Sequence, residues 1–234
     1  LIINMDDDTI LEIKELLIKA ITLDNFIKYQ NGDLITSFAD PELSVNIETY
    51  SNTNLYEKMM KTQNKTEKKQ ATQFIIRVAQ SFEKFKLFLR DNKITIDYTY
   101  LWDLICMPNP NIFEAGINLV ILEIPEDDPT NNVELVCPTN QYSAHIYDPR
   151  KRTLLLIQRE NYFEPVYGYF NNGKKIHITK TFAEYDKTLP QTWRAVFKKI
   201  IKPTLGEKCK PLLSMVNEYR FKQPVLLDKL IEAL

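Results

Sequence analysis

Over residues 66–91 the apolar positions Ala71, Phe74, Ile75, Val78, Phe82, Phe85, Phe88 and Leu89 recur at steps of three and four. That spacing puts one aromatic-rich stripe on a long helix, with Lys, Glu, Gln and Arg on the opposite face. Core packing is the reading such a stripe carries. Upstream, Ile10, Ile13, Leu16, Leu17 and Ile21 follow Thr9-x-x-Glu12, the pattern of a capping box ahead of an amphipathic helix whose apolar face needs a partner. A short helix with Leu23, Phe26 and Ile27 is expected to break at Asn31-Gly32-Asp33, and Asn54-x-x-Glu57 to cap another over residues 55–60.

Beyond residue 93 the period changes. Residues 94–96 predict a brief strand, and Tyr98, Leu101, Trp102 and Ile105 a short helix closed by Pro108 and Pro110. The nearly unbroken apolar run 117–124 predicts a strand, with a neighbour at 133–137 and a third at 153–158. A fourth strand is expected over 163–170, where Pro165 cannot donate to a ladder and marks an edge or a bulge. Asn171-Asn172-Gly173 then turns the chain into a strand over 175–179.

From Pro190 the pattern is helical again, with Trp193, Val196, Phe197, Ile200 and Ile201 on one face and Pro203 as its end. A last helix is expected over 226–234. The order predicts an α+β fold, a mainly antiparallel sheet flanked by N-terminal and C-terminal helices, and not the alternating βαβ of a nucleotide-binding fold. Three regions follow: helical 1–93, β-rich 94–180 and basic helical 181–234, read together as one compact fragment of a larger protein. Leu1 is not Met and three aspartates follow it closely, so neither a signal peptide nor an anchor is expected.

Net charge is only -1, but the charges fall in blocks. Residues 1–60 hold 4 basic against 11 acidic side chains, 61–93 hold 9 against 3, 94–173 hold 4 against 11, and 174–222 hold 12 against 4. The last basic block, with Lys198, Lys199, Lys202, Lys208 and Lys210, is a candidate patch for phosphates or acidic proteins, although blocks of opposite sign also satisfy each other within one fold. Its aromatic residues fall at irregular spacings, so no base-stacking platform is legible there.

Little catalytic chemistry is written in the chain. It has no phosphate loop, GxGxxG, GxSxG, HExxH or EF-hand pattern, and only 5 glycines to build one. Asp127, Asp128 and Glu134 are weak magnesium candidates, read more simply as solvated turn residues. Three cysteines, odd in number and far apart, suggest neither a disulfide framework nor zinc, so no metal or cofactor is expected and a reducing, intracellular home is. Cys106 lies on an apolar helix, Cys137 ends a strand, and Cys209 sits between two lysines that favour its thiolate. With His145 on a loop and His177 in a strand, Cys137 and Cys209 are weak nucleophile candidates.

The stretch from Tyr100-Leu-Trp-Asp-Leu through Gly116-Ile-Asn-Leu-Val-Ile-Leu to Asn161-Tyr-Phe-Glu-Pro-Val resembles the second half of an OTU-type cysteine protease. In that family a late hairpin presents the catalytic histidine in an N-H-Y-(E/D)-x-V motif. Here that position reads Tyr162, and the D-G-x-C nucleophile motif has no counterpart upstream. A phenol with a pKa of about 10 cannot activate a thiol near neutrality, so the resemblance implies an OTU-like pseudoenzyme with a surface site at Asn161 and Glu164.

Residues 98–108, residues 127–142 and Cys209-Lys-Pro-Leu-Leu-Ser-Met are also similar to an uncharacterised protein family of nucleocytoplasmic large DNA viruses. That resemblance implies a viral setting, in host cytoplasm or virion. The expectation is therefore a non-catalytic binding or scaffold domain with a protein partner and no membrane contact. A divergent cysteine protease or deubiquitinase, and a nucleic-acid-binding module using the basic C-terminal region, are the alternatives.

Overall fold

The computed structural model describes residues 7–124, 134–137, 147–160, 162–171, 173, 176–183, 194–195 and 197–209. They form two compact units, one up to Leu104 and one from Ile105. The fold is α+β.

In the first unit α1 (Asp7–Ala20) is followed by α2 (Leu23–Phe26), a 3-10 turn at Tyr29–Gly32, α3 (Leu34–Ser37), a second 3-10 turn at Ile47–Tyr50, α4 (Asn54–Met60), α5 (Lys65–Arg90) and α6 (Tyr98–Cys106), whose last two residues belong to the second unit. The long helix starts at Lys65, where the Asn64 side chain accepts from the Thr66 N–H at 2.9 Å, an N-cap. Its stripe is the core: Ala71, Ile75, Val78, Phe82, Phe85 and Leu89 are buried, and Ala79 and Ser81 join them. Ser81 is tolerated there because its hydroxyl donates to the Ile35 carbonyl of α3 at 2.7 Å.

Several local expectations are corrected. Thr9 lies inside α1 and is not its cap. The face of that helix turned inward is not the expected one, since Lys14 and Ile18 are buried while Ile10, Ile13 and Leu16 are exposed. Lys14 explains the rotation. Its ammonium donates to the carbonyls of Asp91 (2.7 Å) and Ile94 (2.9 Å) just past the C-terminus of α5, where a cation satisfies orphan oxygens and complements the helix dipole. Residues 94–96 consequently form no strand.

The cap of α4 is Thr53, whose hydroxyl accepts from the Tyr56 N–H, and the Asp24 carboxylate of α2 accepts from Asn54 and Leu55 at 3.0 and 2.9 Å. The break at Asn31-Gly32 is a left-handed turn with Gln30, Asn31 and Gly32 at φ 45, 57 and 90°. Buried Asp103 pins it by accepting from the Gln30 N–H at 2.7 Å. Burial, together with that neighbouring carboxylate, pushes the Tyr29 hydroxyl well above its ordinary pKa.

In the second unit β1 (Asn118–Glu123), β2 (Glu134–Leu135), β3 (Thr153–Arg159) and β4 (Tyr162–Pro165) form one sheet in the order β2-β1-β3-β4. A separate two-stranded sheet pairs β5 (Gly168–Asn171) with β6 (Ile176–Thr179). Three of the four strand pairings among the described residues are antiparallel, but the four-stranded sheet is mixed, because β1 and β3 at its centre run parallel from Asn118↔Thr153 to Glu123↔Gln158. A hairpin would have joined β2 to β3 as antiparallel neighbours, but their connection is long enough to carry the chain to the other side of β1. The parallel centre also explains the apolar run of β1, where Asn118 to Ile121 are all buried.

The strand expected over 163–170 is two strands. Phe182 forms an antiparallel bridge to Thr153, exchanging hydrogen bonds of 2.7 and 2.8 Å, and so occupies the edge along which β4 would have continued. The Val166 N–H still donates to Leu155 at 2.9 Å before the chain leaves to start β5. By the alternation of antiparallel ladders, Tyr162 and Glu164 then point their backbone groups inward, and Phe163 and Pro165 outward. Pro165 thus removes a donor from an exposed edge.

Pro203 does not end the last helical stretch. A π turn at Phe197–Ile201, α7 (Lys202–Thr204) and a second π turn at Leu205–Cys209 form one winding, with Pro203 in the opening turn of α7, where a missing N–H is tolerated. Phe197, Ile201, Leu205 and Cys209 recur every four residues and pack on Val120, Leu155 and Phe182 of the sheet. Gly116, just before β1, has φ 69°, and a Cβ there would stand 2.2 Å from the Cys106 carbonyl oxygen, so that approach admits only glycine.

Candidate functional site

The sulfurs weighed as nucleophiles are bonded to each other. Cys137, just past β2, and Cys209, at the end of the winding, form a disulfide with their Cα atoms 5.1 Å apart across a sequence separation of 72. This corrects the expectation of three unrelated thiols, because the winding folds back onto the sheet and distance along the chain does not predict distance in space. Cys106 is outside that bond and buried at the end of α6. The described residues contain no group of three metal-ligating side chains.

Tyr162, at the position the OTU resemblance assigns to histidine, stands opposite Arg159 on the edge strand and is 72% exposed. Glu164 is exposed beside it, opposite Ile157. His145, Asn161, Asp127, Asp128 and Lys210 lie outside the described residues, as do the side chains of His177 and Lys208.

What the structure assembles is a sheet with charged ends of opposite sign. Because β1 and β3 are parallel and in register, their C-terminal ends lie side by side. Exposed Glu123, Glu134, Glu160 and Glu164 gather there, with Arg159 among them. Six residues away, roughly 20 Å at a rise of about 3.3 Å per residue, the N-terminal end carries Arg150, Lys151 and Arg152.

Asn118, buried at the start of β1, positions that triplet. Its side-chain NH₂ donates to the Asp148 carbonyl at 2.8 Å and to the Thr153 hydroxyl at 3.3 Å, while its oxygen accepts from the Asp148 N–H at 3.0 Å. The loop ahead of β3 is thereby tied to β1 through groups that are themselves buried. Arg150 is paired with Asp148 through Nη2 at 2.8 Å and Nε at 3.0 Å. Its neighbours are bonded to neutral oxygens: Arg152 donates to the Thr181 hydroxyl and carbonyl, both at 2.6 Å, and Lys151 to the Cys106 carbonyl at 2.9 Å.

The bonds from Arg152 bring exposed Lys180 alongside, and the bridge from Thr153 to Phe182 anchors the segment. Phe182 contacts Phe197, which precedes exposed Lys198 and Lys199, and Lys202 stands 5.9 Å from the ring centre of Tyr147. Three of the five lysines of the sequence-predicted patch therefore join four basic residues that reading had missed: Arg150, Lys151, Arg152 and Lys180. The triplet was visible as a run, but it sits in a segment whose net charge is acidic, and block counting hid it.

The Arg150 guanidinium and N–H hold the Asp148 carboxyl down to about 2, below its ordinary 3.8. A carboxylate depressed in the folded state adds stability that is complete above its unfolded pKa and is lost as pH falls through the folded one. The melting-temperature gap between wild type and Asp148→Asn is accordingly expected to be constant above about pH 5 and to narrow toward pH 2. A gap that does not change with pH would refute this role.

No protein-family model, curated protein or solved structure matches this chain. No helix among the described residues is long and apolar enough to cross a membrane.

Proposed function

We propose that the chain is a non-catalytic binding domain of a viral protein, with an OTU-like sheet that serves as a scaffold for a contact surface. The observation that carries the reading is the Cys137–Cys209 disulfide, which joins the two sulfurs a cysteine protease would have drawn on. A disulfide sulfur is not a thiolate and does not attack a carbonyl. The tyrosine at position 162 supports the same conclusion, since a phenol is a poor base at neutral pH. Of the two settings, host cytoplasm or virion, a disulfide favours the virion.

The outer edge of β4 suits strand addition by a protein partner poorly, because Pro165 presents no donor outward. The basic end of the sheet is the better contact surface, and its complement is an acidic partner.

The test is the intact mass of the full chain after exposure to a thiol-reactive ubiquitin probe, with and without mild reduction. Unmodified protein is expected in both cases. An adduct that disappears in one of Cys106→Ala, Cys137→Ala or Cys209→Ala would overturn the reading and name the nucleophile.

A further inference from the structure

Resting on the binding reading above, we propose that the basic end of the mixed sheet and the adjoining face of the β5–β6 hairpin form a binding site for single-stranded nucleic acid. Arg152, Lys180, Lys198 and Lys199 would meet the phosphates, and Tyr169, with Tyr167 beside it, would stack on the bases.

Charge is the first part of the argument. Arg150 and Asp148 pair with each other, whereas Arg152 and Lys151 donate to neutral oxygens, which do not neutralise their charge. Lys180, next to the Thr181 that Arg152 binds, and Lys198 and Lys199, which follow the Phe197 packed near Phe182, are exposed. The acidic side chains on the described elements around this end are Asp148 and the exposed Glu114 and Glu207. Phosphates meet a surplus of cations here, whereas the opposite end of the same sheet would repel them.

The hairpin decides which polyanion. Its first pair, Gly168↔Thr179, directly precedes Lys180, and the Thr179 hydroxyl donates to the Thr181 carbonyl at 2.7 Å, so the hairpin is rooted in the basic segment. One pair further out, Tyr169 faces Ile178 across the ladder, and partners directly opposite share a face of the sheet. Tyr169 is 62% exposed, Ile178 65% and Ile176 59%, while Tyr167 is about half exposed. Among the described elements β5 and β6 pack extensively only on each other.

A two-stranded ribbon that presents tyrosines to water beside a row of cations offers both halves of single-strand recognition. The cations track the backbone, and every base has a π-face to stack. An acidic membrane or an acidic protein would use the cations but would not require the rings. A duplex keeps its bases stacked on one another and would contact the cations alone.

The experiment is fluorescence anisotropy of a labelled twenty-nucleotide oligothymidylate with the full, unreduced chain. The expected Kd is micromolar at 50 mM salt. Between 50 and 200 mM it should weaken about fifty-fold, the loss expected from about four phosphate contacts on a single strand. The triple variant Lys180→Ala, Lys198→Ala, Lys199→Ala should weaken binding at least ten-fold and flatten the salt slope by about two, at unchanged melting temperature. Tyr169→Ala should weaken it about five-fold or more and leave the salt slope unaltered.

Three results would overturn the proposal: no oligonucleotide binding, binding to vesicles of phosphatidylcholine and phosphatidylserine in its place, or duplex binding as tight as single-strand binding and indifferent to Tyr169→Ala. None of them would touch the non-catalytic reading, which stands or falls separately on the cysteine probe.

Discussion

Replacing Cys137 and Cys209 together by alanine is expected to destabilise the sheet-bearing unit by about 4 kcal/mol, the loop-closure entropy of a cross-link spanning 72 residues. Cys209 is fully buried in the cluster of Val120, Leu155, Phe182, Phe197, Ile201 and Leu205. The bond thus fastens the winding at the end of its contact with the sheet. For a chain of this size the loss corresponds to a fall in melting temperature of roughly 10 °C. A reductant should lower wild type to the level of the double variant and leave the variant itself unmoved. Equal melting of wild type with and without reductant, in protein whose alkylation mass confirms the opened bond, would contradict this account.

The second large effect is expected at Phe85. It is buried on α5, with ring centres of Phe38, Phe26, Tyr100 and Phe88 at 5.0, 5.6, 6.1 and 6.3 Å. Phe85→Ala removes the ring common to those contacts and opens a cavity between helices, which should reduce stability by about 3–5 kcal/mol. Phe88 carries the same side chain three residues further along the helix but is only half-buried. Its alanine variant should lose about half as much, because water already meets part of that surface. Urea midpoints of the two variants check the comparison. Equal losses would mean that burial does not set the energy of this stripe.

The helical unit was largely legible because each of its signals is local. The α5 stripe sits within one period, and the break at Asn31-Gly32 needs only the tolerance of those residues for positive φ. Reading failed where a side chain from a distant element intervened. Nothing around Lys14 in sequence says that its ammonium will cap two carbonyls some eighty residues away, and those two bonds hold Lys14 on the buried face of α1. Likewise, Asp24 caps α4 from another helix.

The sheet was legible as strands but not as a topology. Each apolar run, and the edge implied by Pro165, could be read from local chemistry. The parallel pairing of β1 with β3, the bridge that diverts β4, and the disulfide all depend on where the chain returns to itself, and loop length sets no single answer to that. The candidate site failed for a related reason. Counting charges along the chain pooled Arg150, Lys151 and Arg152 with acidic neighbours that the fold sends to the far end of the sheet.

By itself, then, the sequence determined the longer helices and the apolar strands among the described residues, the α5 core stripe, the guarded edge at Pro165 and the absence of common nucleotide and serine-hydrolase motifs, because periodicity, turn chemistry and motif spacing act over a few residues. Tertiary structure alone decided that two cysteines meet, that Lys14 faces inward, and that Arg152 is bonded to the segment that follows the hairpin carrying exposed Tyr169. Each of these is a contact between residues far apart in the chain, and such contacts are selected by the packing of whole elements, which no local pattern encodes.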